Sequence, residues 1–114
     1  LPEKHGMLFV FREPDKQSFW MRNTRIPLDI GYFSGDGELR EIHAAQPFDE
    51  RGYPSRNNQI KYVLELNLGA YRTAGLRPGA KLNLPNVASA LVARGFLPSK
   101  FGLDGNHSSS STLP

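Results

Sequence analysis

Leu28-Asp29-Ile30-Gly31-Tyr32-Phe33-Ser34-Gly35-Asp36-Gly37 is the stretch that decides the fold. Its first six residues are mostly large and apolar, as in a strand, and they run into Gly-Asp-Gly, a hairpin signal. Glu38 to Ala45 follows with alternating character, its apolar members being Leu39, Ile42 and Ala44. Two strands joined by so short a turn pair antiparallel. Asp29 is the odd member of the first strand, because a carboxylate between Leu28 and Ile30 is costly if buried without partners.

Working outward, Leu1 to Gly6 reads as a loop, and Met7-Leu8-Phe9-Val10-Phe11 as a strand covered on both faces. Arg12 to Gln17 reads as a turn around Glu13-Pro14-Asp15. Phe19 to Thr24 is a further strand, with Phe19, Met21 and Asn23 on one face and Trp20, Arg22 and Thr24 on the other. On the C-terminal side, Pro47 to Asn58 is a long loop of the kind that is uncommon unless it has work to do. Ile60 to Leu66 alternates again, with Tyr62, Leu64 and Leu66 sharing a face. Asn67 fits the N-cap of a short helix over Leu68 to Ala74, ended by Gly75 and an apolar contact from Leu76.

Arg77-Pro78-Gly79-Ala80 has the residues of a type II turn. Lys81 to Leu84 reads as a last short strand. Pro85 opens a second helix, with Val87, Ala90, Leu91 and Arg94 on one face and Gly95 at its end. The fold class is therefore mainly β (a β-rich α+β domain), an antiparallel sandwich or open barrel with two short helices. One domain is expected over 1–103 and a flexible tail over 104–114, where serines replace apolar residues.

A chain of 114 residues makes one modest core. The net charge of +3 is spread over interleaved acids and bases, which lacks the basic stripe of a nucleic-acid surface. With no cysteine, thiolate metal sites and thiol nucleophiles are excluded. The three histidines lack metal-ligand spacing, and no cofactor motif is present. No apolar run is long enough to span a membrane.

Chemistry concentrates in Ser18-Phe19-Trp20-Met21-Arg22-Asn23-Thr24, which sets the single tryptophan beside a cation and an amide. Trp20 and Arg22 share a strand face. They form either a stacking surface with a cationic donor or a core indole covered by an arginine stem. Asp29 is either a salt-bridge partner of Arg22 or Arg25, or a ligand-binding carboxylate or general base. Glu65 flanks the end of its strand, where binding groups are common. The ligand-binding candidates are thus Trp20, Arg22, Asn23, Thr24, Asp29 and Glu65.

The ordered blocks Gly6-Met7-Leu8-Phe9-Val10-Phe11, Phe19-Trp20-Met21-Arg22-Asn23-Thr24, Ile26-Pro27-Leu28-Asp29 and Leu64-Glu65-Leu66-Asn67 resemble the bacterial and archaeal domain of unknown function 192. Gly69, Gly75 and Pro78-Gly79 continue the likeness. The resemblance implies a small β-rich domain, frequently exported and hence extracytoplasmic, with no assigned activity. By position its signature residues are Trp20, Arg22, Asn23, Thr24, Pro27, Asp29 and Glu65. The family usually has a further strand before the Gly-Met-Leu block. Only Leu1 to His5 stand there in this sequence, so an unpaired strand edge or apolar groove is expected, covered by a second copy in a homodimer or by the helix from Pro85.

Three readings of function follow. The first is a non-catalytic binding or accessory module for a small polar ligand or protein partner. The second is a hydrolase using Asp29 and Glu65 as a carboxylate pair, which requires them close together across one cleft. The third is an assembly module pairing through the exposed sheet edge.

Overall fold

The computed structural model describes residues 5–19, 25–49 and 51–103. The strands are β1 (Gly6–Asp15), β2 (Ser18–Phe19), β3 (Leu28–Ser34), β4 (Leu39–Ala45), β5 (Tyr53–Pro54) and β6 (Ile60–Asn67). The helices are α1 (Ala70–Thr73) and α2 (Leu84–Ala93), followed by a 3₁₀ helix, Pro98–Phe101. A four-stranded antiparallel sheet of order β1-β6-β3-β4 carries the ribbon β2-β5 on one face, here the front, and the helices on the other, the back. The fold is mainly β, and the two sheets do not close into a barrel.

β3 lies inside the sheet and all seven of its residues are buried. Leu28, Ile30 and Tyr32 join Ile60, Val63 and Ala45 in the front core, while Phe33 joins Tyr62, Leu39, Tyr71 and Val87 in the back core. Burying each large apolar side chain stabilises the fold by about 1.5–3 kcal/mol, so these two clusters are what hold the layers together. The hairpin after β3 closes as the sequence implies, with Gly37 at φ 86° and its N–H donating to the Ser34 carbonyl at 2.9 Å.

β1 departs from expectation. It is an edge strand with Met7 48% exposed and is not covered on both faces. The strand also continues through the expected turn to Asp15, but its register with β6 shifts between Val10 and Asp15. Pro14 has no N–H for a ladder, which suits a bulged segment.

The Pro47–Asn58 segment does have work: it roofs the front core. Tyr53 of β5 packs there with Phe19, whose ring centroid is 4.8 Å from that of Phe9, and the Tyr32 hydroxyl donates to the Tyr53 carbonyl. Buried Glu41 accepts the main-chain N–H of Arg56 at 2.9 Å and of Asn57 at 2.6 Å, and bonds the His43 ring at 2.9 Å. Burial works against its charge, yet those three bonds together hold its carboxyl below the ordinary range.

On the back, α1 is shorter than expected and its N-cap is Gly69, not Asn67, which ends β6. Both α-helices end in paired bonds of the Schellman type: Gly75 and Leu76 N–H to Arg72 and Tyr71 carbonyls, then Gly95 and Phe96 N–H to Val92 and Leu91 carbonyls. Lys81–Leu84 is not a strand. Lys81 makes one bridge to Glu38, Leu39 N–H donates to the Ala80 carbonyl at 2.7 Å, and Asn83 caps α2 through Asn86 N–H. The segment thereby shields the outer edge of β4, which leaves its residues no partner strand of their own.

Gly31 fixes how α1 meets the sheet. A Cβ at this position would overlap the Tyr71 hydroxyl, and that hydroxyl donates to the Leu64 carbonyl at 2.8 Å. Gly31→Ala is expected to lower stability by about 1–3 kcal/mol through overpacking, and Tyr71→Phe by about 1 kcal/mol through the lost bond. Urea unfolding of the two variants checks both values. A Gly31→Ala protein as stable as the parent would contradict this packing.

Candidate functional site

Asp29 occupies a face of β3 that the ladder fixes. It stands opposite Leu66 of β6 and Ala44 of β4, so it points with Gly31 and Phe33 toward the helices. It is 6% exposed. One carboxylate oxygen, Oδ2, accepts the Gly69 N–H at 3.0 Å and so pins the β6–α1 turn to the sheet. Neither sequence reading anticipated that partner. Arg25 makes no ion pair with Asp29, and Arg22 lies outside the described residues.

The other oxygen, Oδ1, takes no hydrogen bond from any described residue. Asp29 lines an open cavity of about 470 Å³ with Ile42, Tyr71, Arg72, Gly75, Leu76 and Arg77. Ile42, Leu76 and the Tyr71 ring supply apolar wall. Buried Asp29 forms the floor, while Arg72 and Arg77 are exposed and form the rim. Among the described residues neither guanidinium has a hydrogen bond or ion pair. Burial, and then the charge of Asp29, push the Tyr71 phenol far above its ordinary range, so it stays a proton donor to Leu64. The arrangement is that of a binding site: apolar walls with a few convergent polar groups.

Glu65 stands opposite Ile30 on β3 and Met7 on β1. Ile30 and Asp29 are successive residues of one strand, so Glu65 lies on the front face and Asp29 on the back. A sheet separates the two carboxylates, which ends the acid–base pair expected for a hydrolase. The Glu65 carboxyl has no hydrogen bond or ion pair among the described residues, and burial alone raises its pKa above the usual 4.5. Trp20, Arg22, Asn23 and Thr24 fall within 20–24 and lie outside the described residues.

Sequence reasoning missed Tyr71, Arg72 and Arg77 as site residues. The available signal was Gly31, since a glycine inside an apolar strand marks close approach by another group. A second cavity, of about 550 Å³, runs between β1 and α2 and is largely apolar, with Leu8, Val10, Val87, Leu91 and Phe96 among its lining. The helix from Pro85 therefore flanks the β1 edge without filling the space beside it. No described helix is long and apolar enough to cross a membrane.

A family model described as DUF192, uncharacterized ACR, matches residues 1–84. The chain belongs to the DUF192 family. Two solved structures are similar to it. One is a protein of unknown function from Novosphingobium aromaticivorans DSM 12444, 40% identical, with a TM-score of 0.66 over 71% of this chain and 58% of that one. The other, from Sinorhizobium meliloti 1021, is described as a "putative transcription regulator". It is 41% identical, with a TM-score of 0.67 over 71% of this chain and 63% of that one. The chain thus spans about three-fifths of the length of the solved structures it matches. No curated protein matches. The cavity residues Asp29, Tyr71, Arg72 and Arg77 all fall inside the part matched by the DUF192 model.

The raised Glu65 carboxyl has a consequence for stability. The folded state holds this proton more tightly than the unfolded chain, so the stabilisation is full below the ordinary 4.5 and is lost as pH rises through the folded value. Glu65→Gln is expected to raise the melting temperature near pH 7 and to change it little near pH 4. Calorimetric melts at the two pH values check this, and an equal shift at both would contradict it.

Proposed function

We propose that this DUF192 domain is a non-catalytic binding module for a small polar ligand and that the cavity over Asp29 receives it. The observation that carries the reading is a buried carboxylate at the floor of a cavity of about 470 Å³, under two guanidiniums that form no ion pair among the described residues. That volume lies within the usual range for small-molecule sites, roughly 300–1,000 Å³. Asp29 is 6% exposed and lines the cavity, so a cationic donor that reaches its carboxylate forms a charge-assisted hydrogen bond, about twice as strong as a neutral one.

The case for binding over acid–base chemistry rests on the lining. Beside Asp29, the lining offers Tyr71, whose proton is held, and two guanidiniums, which donate hydrogen bonds and accept none. Trp20, Arg22, Asn23, Thr24 and Glu65 remain proposed ligand contacts from sequence. In this reading Glu65 belongs to the opposite face and does not share the Asp29 cavity.

A thermal-shift screen against small polar metabolites, followed by titration of the hits, tests the proposal. The paired change Arg72→Glu and Arg77→Glu is expected to weaken a true ligand by ~10-fold or more, about 1.4 kcal/mol or more. Both side chains are exposed, so the melting temperature of the free protein is expected to move little. Hits that bind the double variant as well as the parent, or a screen with no hits, would overturn the reading.

A further inference from the structure

The cavity over Asp29 presents both signs of charge to one small ligand. Its floor carries one carboxylate and its rim two guanidiniums, with Ile42, Leu76 and Tyr71 between them. Resting on the reading that this cavity is the ligand site, we propose that its ligand class is the amino carboxylate: a small molecule whose ammonium group meets Asp29 while its carboxylate groups meet Arg72 and Arg77.

The charge layout excludes the simpler alternatives. A plain dicarboxylate satisfies the rim but brings negative charge toward a carboxylate that is 6% exposed, where like charges repel with little screening. A plain diamine satisfies the floor but places its second cation against the guanidiniums. An ammonium carries three donors, and among the described residues Asp29 accepts one hydrogen bond, at Oδ2 from Gly69, which leaves Oδ1 as the acceptor an ammonium would meet. A guanidinium offers a planar fork that matches a carboxylate with two parallel bonds, and neither rim guanidinium has a partner among the described residues.

The side chains sum to one negative and two positive charges, which favours a ligand with one ammonium and two carboxylates over a neutral amino acid. The apolar wall accommodates the short methylene chain that separates such groups. The site therefore selects through two opposed electrostatic conditions, each of which rejects what the other alone would admit.

Isothermal titration of the intact chain at low ionic strength tests this with three probes: L-glutamate, glutarate, which lacks the ammonium, and 1,5-diaminopentane, which lacks the carboxylates. Glutamate is expected to bind ~10-fold or more tightly than either of the others. Asp29→Asn is expected to weaken glutamate by a similar factor while leaving glutarate equal or tighter. Arg72→Glu with Arg77→Glu is expected to abolish glutamate binding, and it keeps the test decisive if Asp29→Asn fails to fold. Glutarate binding as well as glutamate, in a manner that depends on the two arginines, would overturn the amino carboxylate class and leave the cavity standing as a binding site. No heat from any of the three probes at roughly 10 mM would also overturn the class. The wider metabolite screen then decides separately whether the cavity binds anything at all.

Discussion

Tyr71 reaches the sheet only because position 31 has no side chain, and the back of the molecule is arranged around that contact. The phenol passes over Gly31 of β3 and bonds the Leu64 carbonyl of β6, so one side chain of α1 grips two neighbouring strands. Asp29, two residues before Gly31, takes the Gly69 N–H and fixes the turn that leads into the same helix. α1 has four residues, far too few for a helix to persist by its own propensity, so tertiary contacts must hold it. The cavity is a by-product of the same geometry. Once Tyr71 and the β6–α1 turn are fixed, Arg72 and Arg77 are carried to the rim above Asp29.

The sheet divides the chain's polar chemistry into two compartments. On the front, Glu41 and His43 serve the roof supplied by Tyr53 to Asn57, and Glu41 is satisfied by main-chain donors. Glu65 lies on that side with its ionised form disfavoured by burial. On the back, Asp29 holds the Gly69 N–H and faces open volume. Two carboxylates in consecutive rungs of one ladder can thus belong to unrelated environments, because side-chain direction reverses at every residue of a strand.

That reversal also explains what was legible in the sequence. β3, its Gly-Asp-Gly turn, β4 and β6 were readable because local rules suffice for them: alternation, turn residues and apolar runs. The C-terminal ends at Gly75 and Gly95 were readable for the same reason, since a left-handed residue closes a helix locally. What failed depended on neighbours. The Met7–Phe11 run looks like a buried strand, yet only the order of the sheet decides that it forms an edge. Lys81–Leu84 has strand composition, but it meets β4 through one bridge before Asn83 caps α2. Asn67 looks like a cap until the Gly69 conformation and a carboxylate forty positions away take that part. The cavity was hidden because Asp29, Tyr71 and Arg77 are joined by packing, with no spacing that a linear pattern records.

The most direct test of this arrangement is amide hydrogen exchange at Gly69. Its N–H lies in a tight turn after a strand, where solvent exchange would be fast unless the Asp29 carboxylate holds it. The expected result is protection of the Gly69 amide comparable to that of Leu64 and Leu66 in β6, lost selectively in Asp29→Ala. Exchange of Gly69 at the rate of an open loop in the parent protein would contradict the account, because the contact that shapes both the turn and the cavity would then be absent in solution.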